Sequence, residues 1–148
     1  MSDPVVTVSS TAFQASLDVR AIITRLRRRL LAVSASDDLS SGQASVLARL
    51  GRGDASTASA LADAEHVRPQ SMAVTLASLE RAGLITRTPD PGDGRRQIVE
   101  LTDAGRARFE GARAAREEWL SLALASRYTE EELHRIIEAM RLLERIAE

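Results

Sequence analysis

Residues 68–102 read RPQSMAVTLASLERAGLITRTPDPGDGRRQIVELT, and the reading of this stretch decides the fold. Pro69 suits a first helical position because its missing N–H needs no partner there, and Gly83 suits the left-handed cap that ends a helix. Between them Met72, Leu76 and Leu79 recur at i, i+4 and i+7, which predicts an inner face. Gln70, Ser71, Val74, Ala77, Ser78 and Arg81 then fall on the other side, and that side is small and mostly polar. Long Lys/Glu pairs suit a helix that is merely solvated. Short side chains flanked by Arg68 and Arg81 instead let a helix lie deep in a DNA major groove. After the helix, Leu84–Thr88 and Gln97–Leu101 alternate apolar and polar residues around PDPGDGRR, a run dense in turn formers. The expected product is a two-stranded hairpin with Arg95 and Arg96 at its tip. Arg is drawn to the concentrated negative potential of a narrow minor groove, so a hairpin placed here works as a wing.

Working outward, the N-terminal side supplies the rest of a helix-turn-helix. Asp37–Leu50 is expected to be helical, with Ser40 as N-cap, Val46, Leu47 and Leu50 inward and Gly51 as its stop. GRGDAST reads as a loop, and a short helix from Thr57 to Ala64, capped by Thr57 or Ser56, leads through Glu65-His66-Val67-Arg68 to Pro69. Two short helices and a tight turn before a polar-faced helix make a helix-turn-helix. Before them, past an irregular start, residues 12–34 carry Val19, Ile22, Ile23, Leu26, Leu30 and Val33 on one stripe, with Phe13 and Leu17 on a second. The run RLRRRL in that helix reads as a solvated face that complements the helix dipole rather than a phosphate-binding patch.

On the C-terminal side, Thr102 is placed to cap a long helix running to about Ser126, with Phe109, Ala112, Leu120 and Ala123 on one side and Trp119 at its edge. A last helix opens with the capping box Thr129-Glu130-Glu131-Glu132 and carries Leu133, Ile136, Ile137, Met140, Leu143 and Ala147 on one stripe. A self-sufficient winged lobe leaves nothing to cover these stripes, so they predict a homodimer built with the first helix. The fold expected is mainly α with a small β-hairpin wing: an N-terminal dimerisation helix over 1–35, a winged helix-turn-helix lobe over 36–102 and C-terminal dimerisation helices over 103–148.

Bulk properties exclude more than they identify. With 148 residues there is room for one core and some helices that need a partner. There is no run of apolar residues long enough for a membrane span and no signal-like N-terminus, which points to a cytoplasmic protein. The absence of cysteine rules out disulfides, thiolate metal sites and thiol redox sensing. A net charge of −1 says nothing about nucleic acid, but residues 68–96 hold five Arg against Glu80, Asp90 and Asp93. Every basic residue is Arg and none Lys, which composition bias explains as well as phosphate recognition does.

The residues of the opening stretch also carry a family resemblance. Asp93-Gly94-Arg95 followed by Leu101-Thr102 is similar to the D-x-R…L-T wing signature of the MarR family of bacterial transcriptional regulators. Leu79-Glu80-Arg81-Ala82-Gly83-Leu84-Ile85 resembles its L-E-x-x-G-L-I junction, and the two motifs stand at the right mutual distance. The resemblance implies an obligate homodimer that sets a helix of each lobe in a major groove and a wing in the flanking minor groove. It implies Arg95 as the wing-tip arginine and Asp93 as the carboxylate that orients it, where the residue type alone suggests an ordinary Asx turn. One departure stands out: Ala73-Val74 occupies a place where many members have Thr-Arg. Val74 offers a thymine methyl an apolar contact and nothing to a guanine edge, so readout shifts toward Arg68, Gln70, Ser71 and Ser78.

No catalytic constellation is visible, and no cofactor is expected. Asp63, Glu65 and His66 lack the second histidine that would make them a convincing metal site, and read better as a solvated turn. Trp119 is a core or interface residue on its own chemistry, whereas resemblance to phenol-binding relatives suggests an effector pocket nearby. The expectation is a sequence-specific, double-stranded-DNA-binding regulator, a repressor released by a small aromatic or amphipathic effector. A winged-helix protein-interaction module without specific DNA binding is the alternative.

Overall fold

The computed structural model describes residues 7–35 and 38–147. It contains six helices and one hairpin: α1 (Ser10–Val33), α2 (Ser41–Arg52), α3 (Ala58–Ala64), α4 (Pro69–Arg81), β1 (Ile85–Pro89), β2 (Gln97–Leu101), α5 (Asp103–Ala125) and α6 (Glu130–Glu144). This is the mainly helical winged arrangement expected. Residues 1–6 of the irregular start and Asp37, read as the first residue of the second helix, lie outside the described residues, and α1 begins at Ser10, two residues before its expected start.

Local chemistry sets the helix starts. Ser9, Ser40, Thr57, Thr102 and Thr129 each accept a first-turn backbone N–H, and Ser40 with Gln43 and Thr129 with Glu132 complete capping boxes. Only α4 starts without a side-chain cap, on Pro69 at its first position. It ends at Ala82, and Gly83 takes the expected left-handed conformation at φ 73°.

The stop of α2 differs from expectation. The helix continues through Gly51 to Arg52, and Gly53 supplies the left-handed cap at φ 77°. Gly51 instead makes room for a neighbour. A Cβ there would overlap the Phe109 ring, so its small size sets how closely α2 and α5 cross. The first strand also begins one residue later than expected, because Leu84 is buried in the bend between α4 and the hairpin.

The hairpin is antiparallel and in register from Ile85 opposite Leu101 to Pro89 opposite Gln97. Its second strand has another neighbour in the segment read as a plain loop. Val99 N–H donates to the Ser56 carbonyl at 2.8 Å, and Thr57 bridges Ile98. The wing is therefore attached along both edges of β2, which holds it against the start of α3.

The core lies wholly within this lobe. Val46, Leu47, Ala55, Leu61, Ala62, Met72, Leu76, Leu79, Leu84, Ile85 and Val99 form one buried cluster, and among the described residues no buried side-chain N or O lacks a partner. By contrast, α1 and α6 bury no residue, and α5 buries only Gly105. Gly105 sits so close to the Leu84 carbonyl that a Cβ there would collide with it. At the same joint, Thr102 O–H donates to the Gly83 carbonyl at 2.6 Å and its oxygen accepts Gly105 N–H at 3.0 Å. Thr102 N–H also donates to the Leu84 carbonyl at 3.1 Å. One threonine thus ties the end of α4, the wing and the start of α5 together. Among the described residues no helix is long and apolar enough to cross a membrane.

Candidate nucleic-acid interface

Met72, Leu76 and Leu79 turn inward as their spacing predicts, so the opposite face of α4 is left to solvent. Arg68, Gln70, Ser71 and Val74 are exposed on it, and Val74 is 70% accessible. A β-branched apolar side chain held that far into water is poorly explained by the fold of the lobe itself. The first turn of α4 carries no acidic residue. Its free N–H groups and the positive end of its dipole therefore stand beside Arg68, an arrangement that attracts phosphate.

Ser78 is placed differently from its expected role as an exposed reader. It is half-buried at the seam with α2, where its hydroxyl accepts a 2.8 Å hydrogen bond from Gln43 Nε2. Gln43 also serves the capping box of α2, so this pair fixes the tilt of α4 on the preceding helix. The geometry gives Ser78 a positioning contact within the lobe.

The wing is fixed to α4 by a second polar contact, one that lay outside the expectations from sequence. Arg87 on β1 donates to Glu80 Oε2 at 3.0 Å through Nε and again through its terminal nitrogen. The hydrogen bonds and charge of Arg87 hold the Glu80 carboxyl below its ordinary pKa. The glutamate of the Leu79-Glu80 motif thereby sets the angle between α4 and the hairpin.

At the tip, two Asx turns close the loop. Asp90 Oδ1 accepts Gly92 N–H at 2.8 Å, and Asp93 Oδ1 accepts Arg95 N–H at 3.1 Å. Arg96 N–H donates to the Asp93 carbonyl at 2.9 Å, and Asp90 N–H to the Arg96 carbonyl at 2.9 Å. Asp93 therefore acts on the main chain of Arg95, as its residue type alone suggested. Arg95 and Arg96 are both exposed, on the same lobe as Arg68.

Behind the interface, α1, α2 and α5 enclose an open cavity of about 1150 Å³. Leu30, Leu47, Phe109 and Leu120 give it an apolar floor, and Arg27, Arg49 and Arg116 stand among its polar lining. Trp119 is not part of that lining; its ring lies 5.9 Å from the Arg29 guanidinium. Among the described residues no group of three potential metal-binding side chains comes together, and Glu65 is engaged by Arg49 and Ser45.

Comparison with known proteins agrees with this geometry. The MarR family model matches residues 37–96, the helix-turn-helix with the first strand and tip of the hairpin. An uncharacterized HTH-type transcriptional regulator of Mycobacterium bovis is 39% identical over 109 residues, covering 74% of this chain and 76% of the relative. A Pseudomonas aeruginosa crystal structure described as a transcriptional regulator superposes with a TM-score of 0.79 at 36% identity, covering 95% of this chain and 99% of that one. A variant of Staphylococcus aureus MepR bound to an oligodeoxyribonucleotide shares the fold at a TM-score of 0.66 and 24% identity, over 90% of this chain and 98% of that one. With its two motifs, its winged architecture and these relatives in agreement, the chain belongs to the MarR family.

Proposed function

We infer that this protein is a DNA-binding transcriptional regulator that acts as a cytoplasmic homodimer. The observation that carries the reading is the solvent face of α4, with Val74 outward and its N-terminus open, held rigidly beside a wing tipped by Arg95 and Arg96. In this reading Arg68 and the first turn of α4 take backbone phosphates, Gln70 and Ser71 address base edges, and Val74 packs on a thymine methyl. Arg95 and Arg96 enter the minor groove from a tip shaped by Asp93, and Ser78 keeps α4 at its angle. The HTH-type regulator from Mycobacterium bovis and the oligodeoxyribonucleotide bound to MepR support the same role.

The position of the core supports a division into 1–35, 36–102 and 103–148. Ile22 and Ile23 on α1 and Ile137 and Met140 on α6 are all about half exposed, an apolar surface that a second copy would cover. A two-fold axis through these helices sets the recognition helices roughly 34 Å apart, matched to a pseudo-palindromic operator. Repression is relieved when a small amphipathic effector occupies the cavity between α1, α2 and α5 and shifts the lobes away from that spacing.

The test is Arg95→Ala in an operator titration over a range of salt. Affinity should fall for unrelated sequences alike, and the salt slope should drop by about one. An unchanged slope and affinity would remove the wing from the interface.

A further inference from the structure

The turn that launches α4 is closed by a residue of the wrong type for its conformation. His66 N–H donates to the Asp63 carbonyl at 3.1 Å, and Val67 N–H donates to the Ala62 carbonyl at 3.0 Å, the paired bonds that end many helices. The residue at the bend of that pattern is left-handed, and glycine usually holds it. Here it is His66, at φ 54° the only non-glycine residue at positive φ among the described residues. A side chain in that region is strained, and such a conformation persists where its surroundings over-determine it. Pro69 keeps Arg68 extended at ψ 148°. The direction in which α4 leaves α3 therefore rests on the backbone of His66 and Val67.

The surroundings that hold His66 come from α2. Arg49 Nε donates to Glu65 Oε1, and its Nη2 donates to the Ala64 carbonyl at 2.9 Å. Ser45, one turn earlier on α2, donates to the same Glu65 oxygen at 2.8 Å. Glu65 is the C-cap of α3 and Ala64 its last residue, so one guanidinium satisfies the last carbonyl of that helix and neutralises the carboxylate beside it. The planar fork spans acceptors on two consecutive residues, which a lysine ammonium does not. The Arg49 side chain is 28% exposed and that of Glu65 16%, whereas the pairs Arg113–Glu117 and Arg135–Glu131 along α5 and α6 are more than half exposed. A pair so far out of water is little screened by salt and holds its geometry.

We infer that Arg49 is a positioning residue for DNA reading: from α2 it pins the end of α3, keeping His66 left-handed and α4 at the angle that fits the groove. This rests on the reading of α4 as the recognition helix. Arg49 touches no base in this scheme and acts through Glu65 and the Ala64 carbonyl. Without it the strained turn relaxes, and α4 keeps its own hydrogen bonds while its angle on the lobe changes. Phosphate contacts are spread over the surface and carry no sequence information, so they survive a small swing. Base contacts depend on alignment, so the loss falls on discrimination between sequences.

The experiment uses the full chain and fluorescence anisotropy at fixed salt on two duplexes of equal length and composition, an operator fragment that it binds and a scrambled copy. Arg49→Gln should bind the operator about tenfold more weakly, the order of cost of one left-handed side chain. It should bind the scrambled duplex within about twofold of the wild type. Arg49→Lys should behave as Arg49→Gln does, since it keeps the charge and loses the fork. Ser45→Ala, a milder change that leaves the ion pair in place, should show the same selective loss on a smaller scale. Adding His66→Gly to Arg49→Gln should restore most of the operator affinity, because glycine takes the left-handed turn unaided. Thermal melts establish that each variant is folded at the assay temperature. Wild-type discrimination in Arg49→Gln overturns the inference. So does an equal loss on both duplexes, which makes Arg49 a phosphate contact or a general stabilising one. Failure of His66→Gly to restore the operator overturns it too, because Arg49 is then not acting through the turn. The double variant Gln70→Ala, Val74→Ala tells these outcomes from a failure of the underlying reading: if it binds both duplexes as the wild type does, α4 is not the reader and the inference falls with it.

Discussion

The winged lobe and the helices that flank it solve the burial problem in opposite ways. Within residues 46–99 eleven apolar side chains close on one another, and Leu61, Leu76 and Leu79 reach zero exposure. In α1 and α6 the same residue types are arranged as regularly, yet none is buried. The difference lies in geometry. Three short helices and a hairpin cross at angles and enclose a volume, whereas long helices side by side enclose only a seam. In the proposed homodimer a stripe on a long helix is finished by the second copy, so the stability of the flanking region should depend on protein concentration while that of the lobe should not.

That contrast can be broken at its strongest point by Leu76→Ala. Leu76 is fully enclosed on the inner face of α4, so truncation should cost about 2–5 kcal/mol and abolish operator binding with it. Denaturant unfolding at a fixed, high protein concentration measures the loss. The complementary change is Met140→Glu on α6, at a side chain 54% exposed in the single chain. It should leave the lobe's hydrogen-exchange protection intact while shifting sedimentation toward the monomer, at a cost to association of about 2–3 kcal/mol for a charge buried in an apolar seam. A dimer that persists undiminished would show that the α6 stripe is not the seam.

Gly51→Ala probes the boundary between the two regions. The added methyl meets the Phe109 ring, and forcing α2 and α5 apart should cost about 1–3 kcal/mol. Because the displacement falls between lobe and flank, the operator affinity should change more than the core's exchange rates do. The smallest effect expected is on the acid limb of stability. Burial raises the pKa of Glu65, but the hydrogen bonds from Arg49 and Ser45 and the charges of Arg49 and Arg27 outweigh it and leave the carboxyl lowered. Its contribution is fully present above the ordinary carboxylate range and is lost as pH falls through the lowered value. Unfolding curves from pH 6 downward should therefore be shallower for Glu65→Gln than for the wild type.

Most of this architecture was legible in the residues because its determinants are local. Caps at Ser40, Thr57, Thr102 and Thr129, the left-handed Gly83 and the inner face Met72, Leu76 and Leu79 each depend on neighbours within one or two turns. What escaped depends on partners far along the chain. Gly51 and Gly53 are equally good stops until Phe109 packs on the first of them. Ser78 has the right phase for an exposed face until Gln43 reaches it from α2. The edge pairing of Ser56 and Thr57 with β2, the Glu80–Arg87 contact and the Arg49–Glu65 contact share that character. Each is a polar contact between elements, and no periodicity announces one. The motif residues Glu80 and Thr102 were visible as a pattern, but the carbonyl and guanidinium they meet were not.

The Thr102 joint gives the molecule a mechanical ratio. Helix α5 has 23 residues, about 34 Å of stiff rod, and its first turn is bolted to the end of α4 and to the base of the wing. A swing of about 5° at that joint carries the far end of a rod this long through roughly 3 Å, close to the rise of one DNA base pair. Run in reverse in the proposed homodimer, a slide of that size between the long helices of the two copies would turn each reading head by a few degrees. Thr102 is the pivot of that gearing, and a looser pivot would let the long arm move while the reading head stayed still.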